Sequence, residues 1–279
     1  AGLRTAPSPV HQGAAPDVPV RARHPRLGVV AAVAAAVAVL AQISYPLLTG
    51  VALRTATIAA VLAFATASVA SAAAWLGIRA GALLLLVAGG LGLAAEAIGV
   101  STGVPFGTYR YAGTLGPQLL GVPLLVPLAW TMMAYPALLA ARRLASSARG
   151  RAVVVALIGG VTLAAWDLYL DPQMVAAGHW SWAYPAPSLP GIADVPLTNT
   201  AGWLLVGTLM TAALHVLLPA PPTAGEVLPA ALLTWTWLGS LLANLAFFGR
   251  PQVAVLGGVA MALVVVPYLL RLRTAGRRS

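Results

Sequence analysis

The chain has 279 residues, 60% of them apolar and only 8% charged, with a mean hydropathy of +0.89. A soluble protein cannot cover that much apolar surface, and the long apolar runs exclude a transmembrane barrel, whose strands alternate over about ten residues. Cys and Lys are both absent, and all sixteen basic residues are Arg, which excludes disulfides, thiolate metal sites, thiol nucleophiles and lysine Schiff bases. The net charge of +10 sits at the flanks of apolar runs. It reads as a topology signal beside an anionic leaflet and not as a nucleic-acid surface.

Residues 1–26 are rich in Pro, Ala and Arg without apolar periodicity, and are expected to form a disordered basic tail. The apolar run that follows is long enough to span and carries no cleavable-signal pattern. The pattern predicts an all-α, polytopic transmembrane domain over 27–273, followed by a basic cytoplasmic tail over 274–279. Eight spans are expected at 27–49, 55–77, 80–100, 119–141, 151–170, 198–218, 227–248 and 252–270. With the N-terminus in the cytoplasm, thirteen Arg fall inside, and only Arg54, Arg110 and Arg250 fall outside. The positive-inside rule therefore favours eight helices with both termini cytoplasmic.

In this topology Glu96, Asp167, Asp171 and Asn199 lie at the outer ends of spans 3, 5 and 6. In span 3, Gly89, Gly92, Glu96 and Gly99 form one stripe, where glycines admit a close neighbour and the carboxyl faces inward. An acid facing lipid would cost several kcal/mol, so Glu96 belongs to the bundle interior, as a site residue or as a packing carboxyl. Asp167 and Asp171 stand one turn apart on span 5. Two charged carboxylates at that spacing repel, so one of them is expected to hold a proton. Pro172 is expected to end this helix at Asp171. Asn199 opens span 6, as its N-cap or as a site residue, with Trp203 one turn further on.

The stretch 166–203 carries four Trp, two Tyr and His179 with no Arg. Part of this set suits an interfacial belt, and part suits a pocket that stabilises a cation or stacks on a polyene. His179 reads as a surface loop residue and His215 as structural. No His pair has metal-ligand spacing, so no metal is expected. The loop GVSTGVPFGTYRYAG, 99–113, lacks the Lys and the preceding strand of a phosphate loop and reads as a folded lid. Its Arg110 faces either an acid or a headgroup. On span 7, Trp237, Ser240 and Asn244 form a stripe expected to line the same cavity.

At these residues the sequence resembles the membrane-bound carotenoid hydratase family, which includes γ-carotene 1′,2′-hydratases and bisanhydrobacterioruberin hydratases. The resemblance rests on EAIGVSTGVPFGTYRY from Glu96, GVPLLVPLAW ending at Trp130, DLYLDPQM with GHWSW from Asp167, and VPLTNTAGW ending at Trp203. The loop 185–195, PAPSLPGIADV, departs from the family's usual Gly-x-Pro approach to the Asn. The resemblance implies addition of water to a terminal isoprenoid double bond, giving a tertiary alcohol without a cofactor.

The residues suit that chemistry: a desolvated carboxylic acid protonates the alkene, aromatic faces stabilise the tertiary cation, and a second carboxylate activates water. Asp167 is assigned here as acid, Asp171 as base and Glu96 as partner or alternative acid. Trp166, Tyr109, Tyr111, Trp130, Trp180, Asn199, Trp203 and Asn244 form the expected substrate-contacting set. A polyene is too apolar to cross water, so it is expected to arrive from the bilayer through a long apolar cavity. The expected partners are a carotenoid, lipid and other membrane enzymes of the same pathway, with no nucleic acid. The expected location is the cell membrane of a prokaryote. A proton-coupled lipid or polyene transporter and a non-catalytic carotenoid-binding protein are the alternative readings.

Overall fold

The computed structural model describes residues 21–276. Of the tail expected over 1–26, residues 1–20 lie outside the described residues, as do Arg277 to Ser279, and the first helix already begins at Pro25. Among the described residues, eight helical spans are long and apolar enough to cross a membrane. They are α1 (Pro25–Ser44), α2 (Gly50–Leu76), a third span made of α3 (Ile78–Leu84) and α4 (Gly90–Thr102), α5 (Leu125–Leu144), α6 (Arg151–Ala176), α7 (Leu197–Leu217), α8 (Thr223–Ala246) and α9 (Pro251–Gly276). A π-helical turn, Leu85–Gly89, joins α3 to α4. Helices satisfy every backbone group internally, which hydrocarbon demands. Large apolar residues such as Val29, Leu40, Leu86 and Leu263 stay on the outside, where lipid replaces water as their solvent.

The core gathers on α5, the most buried of the spans. It contacts α2, α4, α6, α7, α8 and α9, and its Trp130, Met133, Tyr135 and Leu138 are fully buried. The tightest crossing joins α6 to α7. There a Cβ on Gly207 would stand 3.2 Å from the Gly160 Cα, and one on Gly160 would stand 2.2 Å from Thr208 Oγ1. Bare backbone at this crossing lets α7 lie close against α6.

Several boundaries differ from the sequence reading, two of them beside the site. The fourth span starts at Leu125, not 119, because 118–123 fold into a hairpin of β2 (Gln118–Leu119) and β3 (Val122–Pro123). Its two-residue loop has positive φ at both Leu120 and Gly121, the geometry that matches strand twist in the tightest hairpins. The fifth span runs on through Pro172 to Ala176. Proline costs one helical hydrogen bond and does not stop a helix whose next turn is held by its neighbours. Met174 is buried there, and its carbonyl accepts the His179 N–H. Interior prolines also occur at Pro136, Pro229 and Pro267. At the other terminus, α9 continues to Gly276, past the expected boundary at 273.

The two loops expected on one face meet there. β1 (Tyr109–Tyr111) pairs antiparallel with β4 (Trp180–Trp182), setting Tyr109 opposite Trp182 and Tyr111 opposite Trp180. A second hairpin, β5 (Ser188–Leu189) with β6 (Ile192–Pro196), leads into α7. Together these strand pairs cap one end of the bundle, hereafter the site end.

At the opposite end, Arg143 pairs with Glu226 at 2.5 Å. Arg142 donates to His215 Nδ1 at 3.0 Å and to the carbonyls of His215, Leu218 and Pro219, closing the end of α7. His215 therefore has a structural role. Glu226 also accepts from Tyr268 on α9, so one carboxylate ties α5, α8 and α9 together.

Candidate active site

Glu96 is the best-satisfied polar side chain at the site end. Its Oε2 accepts from Tyr109 Oη at 2.5 Å and from Tyr111 Oη at 2.8 Å, while its Oε1 accepts from Trp130 Nε1 at 3.0 Å. The glycine stripe makes this possible. A Cβ on Gly92 would stand 2.7 Å from the Trp130 ring, and one on Gly99 would stand 2.8 Å from Tyr109 Oη. Tyr109 and Tyr111 reach one carboxyl oxygen because residues two apart on β1 share a face. Burial, and then the neighbouring Glu96 carboxyl, push both phenols above their ordinary range, so they remain donors.

The second carboxyl system lies between α6 and α7. Asn199 Nδ2 donates to Asp167 Oδ2 at 2.8 Å and also to Asp171 Oδ2. Trp180 Nε1 donates to Asp171 Oδ1 at 3.0 Å. Both carboxyls thus converge on the one Asn199 amide nitrogen. Relative exposures are 5% for Glu96, 1% for Asp167, 3% for Asp171 and 2% for Asn199. Asn199 is thus neither a free cap nor a surface residue; it bridges the acids.

Glu96 and Asp171 face a common cavity of about 50 Å³, whose wall is mostly apolar and aromatic. Phe106, Tyr109, Tyr111, Trp130, Trp180, Trp182, Asn199 and Trp203 line it. Trp130 stacks on Trp203 at 3.8 Å, and Trp166 meets the far side of Trp203 edge-on at 5.6 Å. This cavity is short, unlike the long apolar passage expected from the sequence.

Asp167 is not part of the cavity wall. It stands behind Asp171 and Asn199, its Oδ1 buried without a partner among the described residues. Trp166 likewise lies behind Trp203 and lines a neighbouring chamber. The stripe expected to line the acid cavity from the seventh span does not reach it. Trp237 Nε1 donates to the Gly258 carbonyl, and Asn244 Nδ2 donates back to Ser240 in its own helix. The reason is that α8 packs on α9 and α5, away from α4 and α7.

Sequence reasoning missed two features of this end. One is the β1–β4 pairing, which carries the donors from both loops to the two carboxyl systems. The other is His179, which is buried and not on the surface. Its Nδ1 lies 2.7 Å from Thr114 Oγ1, and its Nε2 has no partner among the described residues. Burial, and then nearby Arg54, lower its pKa, keeping the ring neutral. Asp194 and Arg110 lie on exposed positions outside the cluster. Among the described residues no His, Asp and Glu cluster has the makings of a metal site.

A profile of the family described as Carotenoid biosynthesis protein matches residues 54–266, well over half of the chain. The protein belongs to the carotenoid biosynthesis protein family. Bisanhydrobacterioruberin hydratase of Haloarcula japonica is 36% identical to it over 115 residues, covering 41% of this chain and 38% of that protein. The likeness thus spans well under half the length of that relative. No solved structure matches. All the acids and aromatics of the cavity in this family member fall within the matched residues.

Proposed function

We propose that the protein is a carotenoid hydratase that adds water across a terminal isoprenoid double bond to give a tertiary alcohol. The observation that carries this reading is the pair of carboxyl systems at one buried aromatic cavity: two aspartates bridged by Asn199 on one side and a hydrogen-bonded glutamate on the other. Asp171, the aspartate in the cavity wall, donates its proton to the less substituted alkene carbon. Asp167, behind it, shares the pair's proton and is a positioning residue, so the donor role moves from Asp167 to Asp171. The resulting tertiary cation sits among Trp130, Trp203 and Tyr109, whose ring faces stabilise it by roughly 0.5–2 kcal/mol each. Water attacks the cation, and Glu96 accepts the proton released from that water. A proton then returns to the aspartate pair, so the net change is the addition of one water. None of these steps calls for a cofactor.

The apolar, aromatic lining of the cavity suits an isoprenoid end group, with the remaining polyene left in apolar surroundings. The relative from Haloarcula japonica, named a hydratase, supports the reaction type. The Arg distribution supports a site on the outer side of a prokaryotic cell membrane with both termini cytoplasmic. Purified protein incubated with lycopene or another acyclic carotenoid in isotopically heavy water is expected to yield a product heavier by one water, with oxygen from solvent. Bound carotenoid recovered unchanged would instead mark a non-catalytic binder and refute the reading.

A further inference from the structure

Beside the acid cavity lies a second chamber, of about 130 Å³, between α1, α2, α6 and α8 at the same end of the bundle. Thr57, Val61, Leu170 and Met174 line both spaces and form the partition between them. The two differ in character. The acid cavity offers little free hydrogen bonding, because Glu96 is occupied by Tyr109, Tyr111 and Trp130, and Asp171 by Trp180 and Asn199. The second chamber is lined by Gln42, Tyr45, Thr57, Gln173 and Ser240. Tyr169 also lines it with its ring, while its hydroxyl lies sealed beside Gly258 of α9. Several polar side chains around a space of this size call for a hydrogen-bonding occupant.

We infer that this chamber is a water-binding site that supplies the hydration step across the Thr57–Met174 partition. The inference rests on the hydratase reading. A buried water needs about two to four polar partners and roughly 10–15 Å³ of such space, and the chamber provides both for several waters. Keeping this store apart from the acid cavity solves a chemical problem. A cation made in the presence of free water would be quenched wherever water stood, and a flooded cavity would let the carboxyl ionise and leave it no proton to donate. A store behind a mostly apolar partition instead delivers water once the end group is seated.

A cation deprived of water has one other outlet. It loses a proton from an adjacent methyl group to a carboxylate, forming a shifted alkene isomeric with the substrate. The ratio of isomer to alcohol therefore reports water supply within a single turnover, independently of binding and of the protonation rate. Two variants test it in the full-length protein in vesicles: Ala243→Leu, which narrows the chamber, and Thr57→Val, which keeps the shape of the partition but removes its hydroxyl. Carotenoid binding, followed by absorbance, checks that each variant is folded.

The expected result is a rise of about tenfold in the isomer-to-alcohol ratio with binding retained. An unchanged ratio in both variants overturns the inference. A proportional loss of both products with weakened binding also overturns it, and assigns the chamber to the polyene. If the unmodified protein makes neither product, the hydratase reading itself fails.

Discussion

Replacing Asp171 with Asn separates proton donation from packing. The amide keeps the shape and its one oxygen still accepts from Trp180 Nε1, while its NH2 takes the place of the oxygen that met Asn199; it cannot supply an acidic proton. Turnover is expected to fall at least about 10²-fold, the usual consequence of losing a general acid. Folding is expected to lose only about 1–3 kcal/mol for the one Asn199 N–H left unpaired, because no charge is buried without a partner. Asp171→Leu gives the contrast: it orphans the Trp180 indole N–H and one Asn199 N–H. At roughly 1–3 kcal/mol for each unpaired buried donor, that variant loses about 2–6 kcal/mol of stability.

Solvent-oxygen incorporation measured by mass and thermal unfolding in detergent separate the two effects. An Asn variant that retains turnover within about threefold of the parent rejects Asp171 as the acid and leaves Glu96 as the candidate. Asp167→Asn, one position further from the cavity, is expected to lose less activity than Asp171→Asn. The reverse order would return the donor role to Asp167.

Gly92→Ala places a Cβ 2.7 Å from the Trp130 ring, and is expected to cost about 1–3 kcal/mol by overpacking and to weaken turnover by shifting the indole that holds Glu96. Gly90→Ala, with nothing within 4 Å of its Cβ, serves as the neutral control in the same melting assay. Reporter fusions at Gly150 and Ser188 are expected to report opposite sides of the membrane; finding both on one side would sink the eight-span topology. His179 links stability to pH. Its folded-state pKa is depressed, so the unfolded chain binds the proton first. Stability is full above the unfolded value of about 6.5 and declines as pH falls below it. Melting temperature against pH is expected to show that decline in the parent protein and to lose it in His179→Gln.

Hydropathy and Arg placement sufficed for the spans, because the bilayer is a uniform solvent: about twenty apolar residues cross it in whatever fold they belong to. Glu96, Asp167 and Asp171 were legible as interior groups for the same reason, since a carboxyl facing lipid is too costly to keep. The glycine stripe around Glu96 was legible as a close-approach surface, but not what would approach it. Trp130 and Tyr109 fill that space, and they arrive from α5 and from β1.

The same gap explains the misplaced helix ends. A local rule places a helix end at the residue before proline, yet α6 continues past Pro172, with Met174 of the next turn buried in the bundle. Which carboxyl faces the cavity also lay beyond the sequence. Asp167 and Asp171 share one helical face, so periodicity treats them alike. Their separation into a wall residue and a residue behind it depends on the α6–α7 crossing and on Asn199 lying between them. The pairing of the 99–113 loop with the 180s was invisible for a simpler reason: three-residue strands carry too little alternation to announce a partner some seventy positions away. The chain's solvent was thus written locally in its composition, whereas the division of labour among its acids arose only where distant segments met.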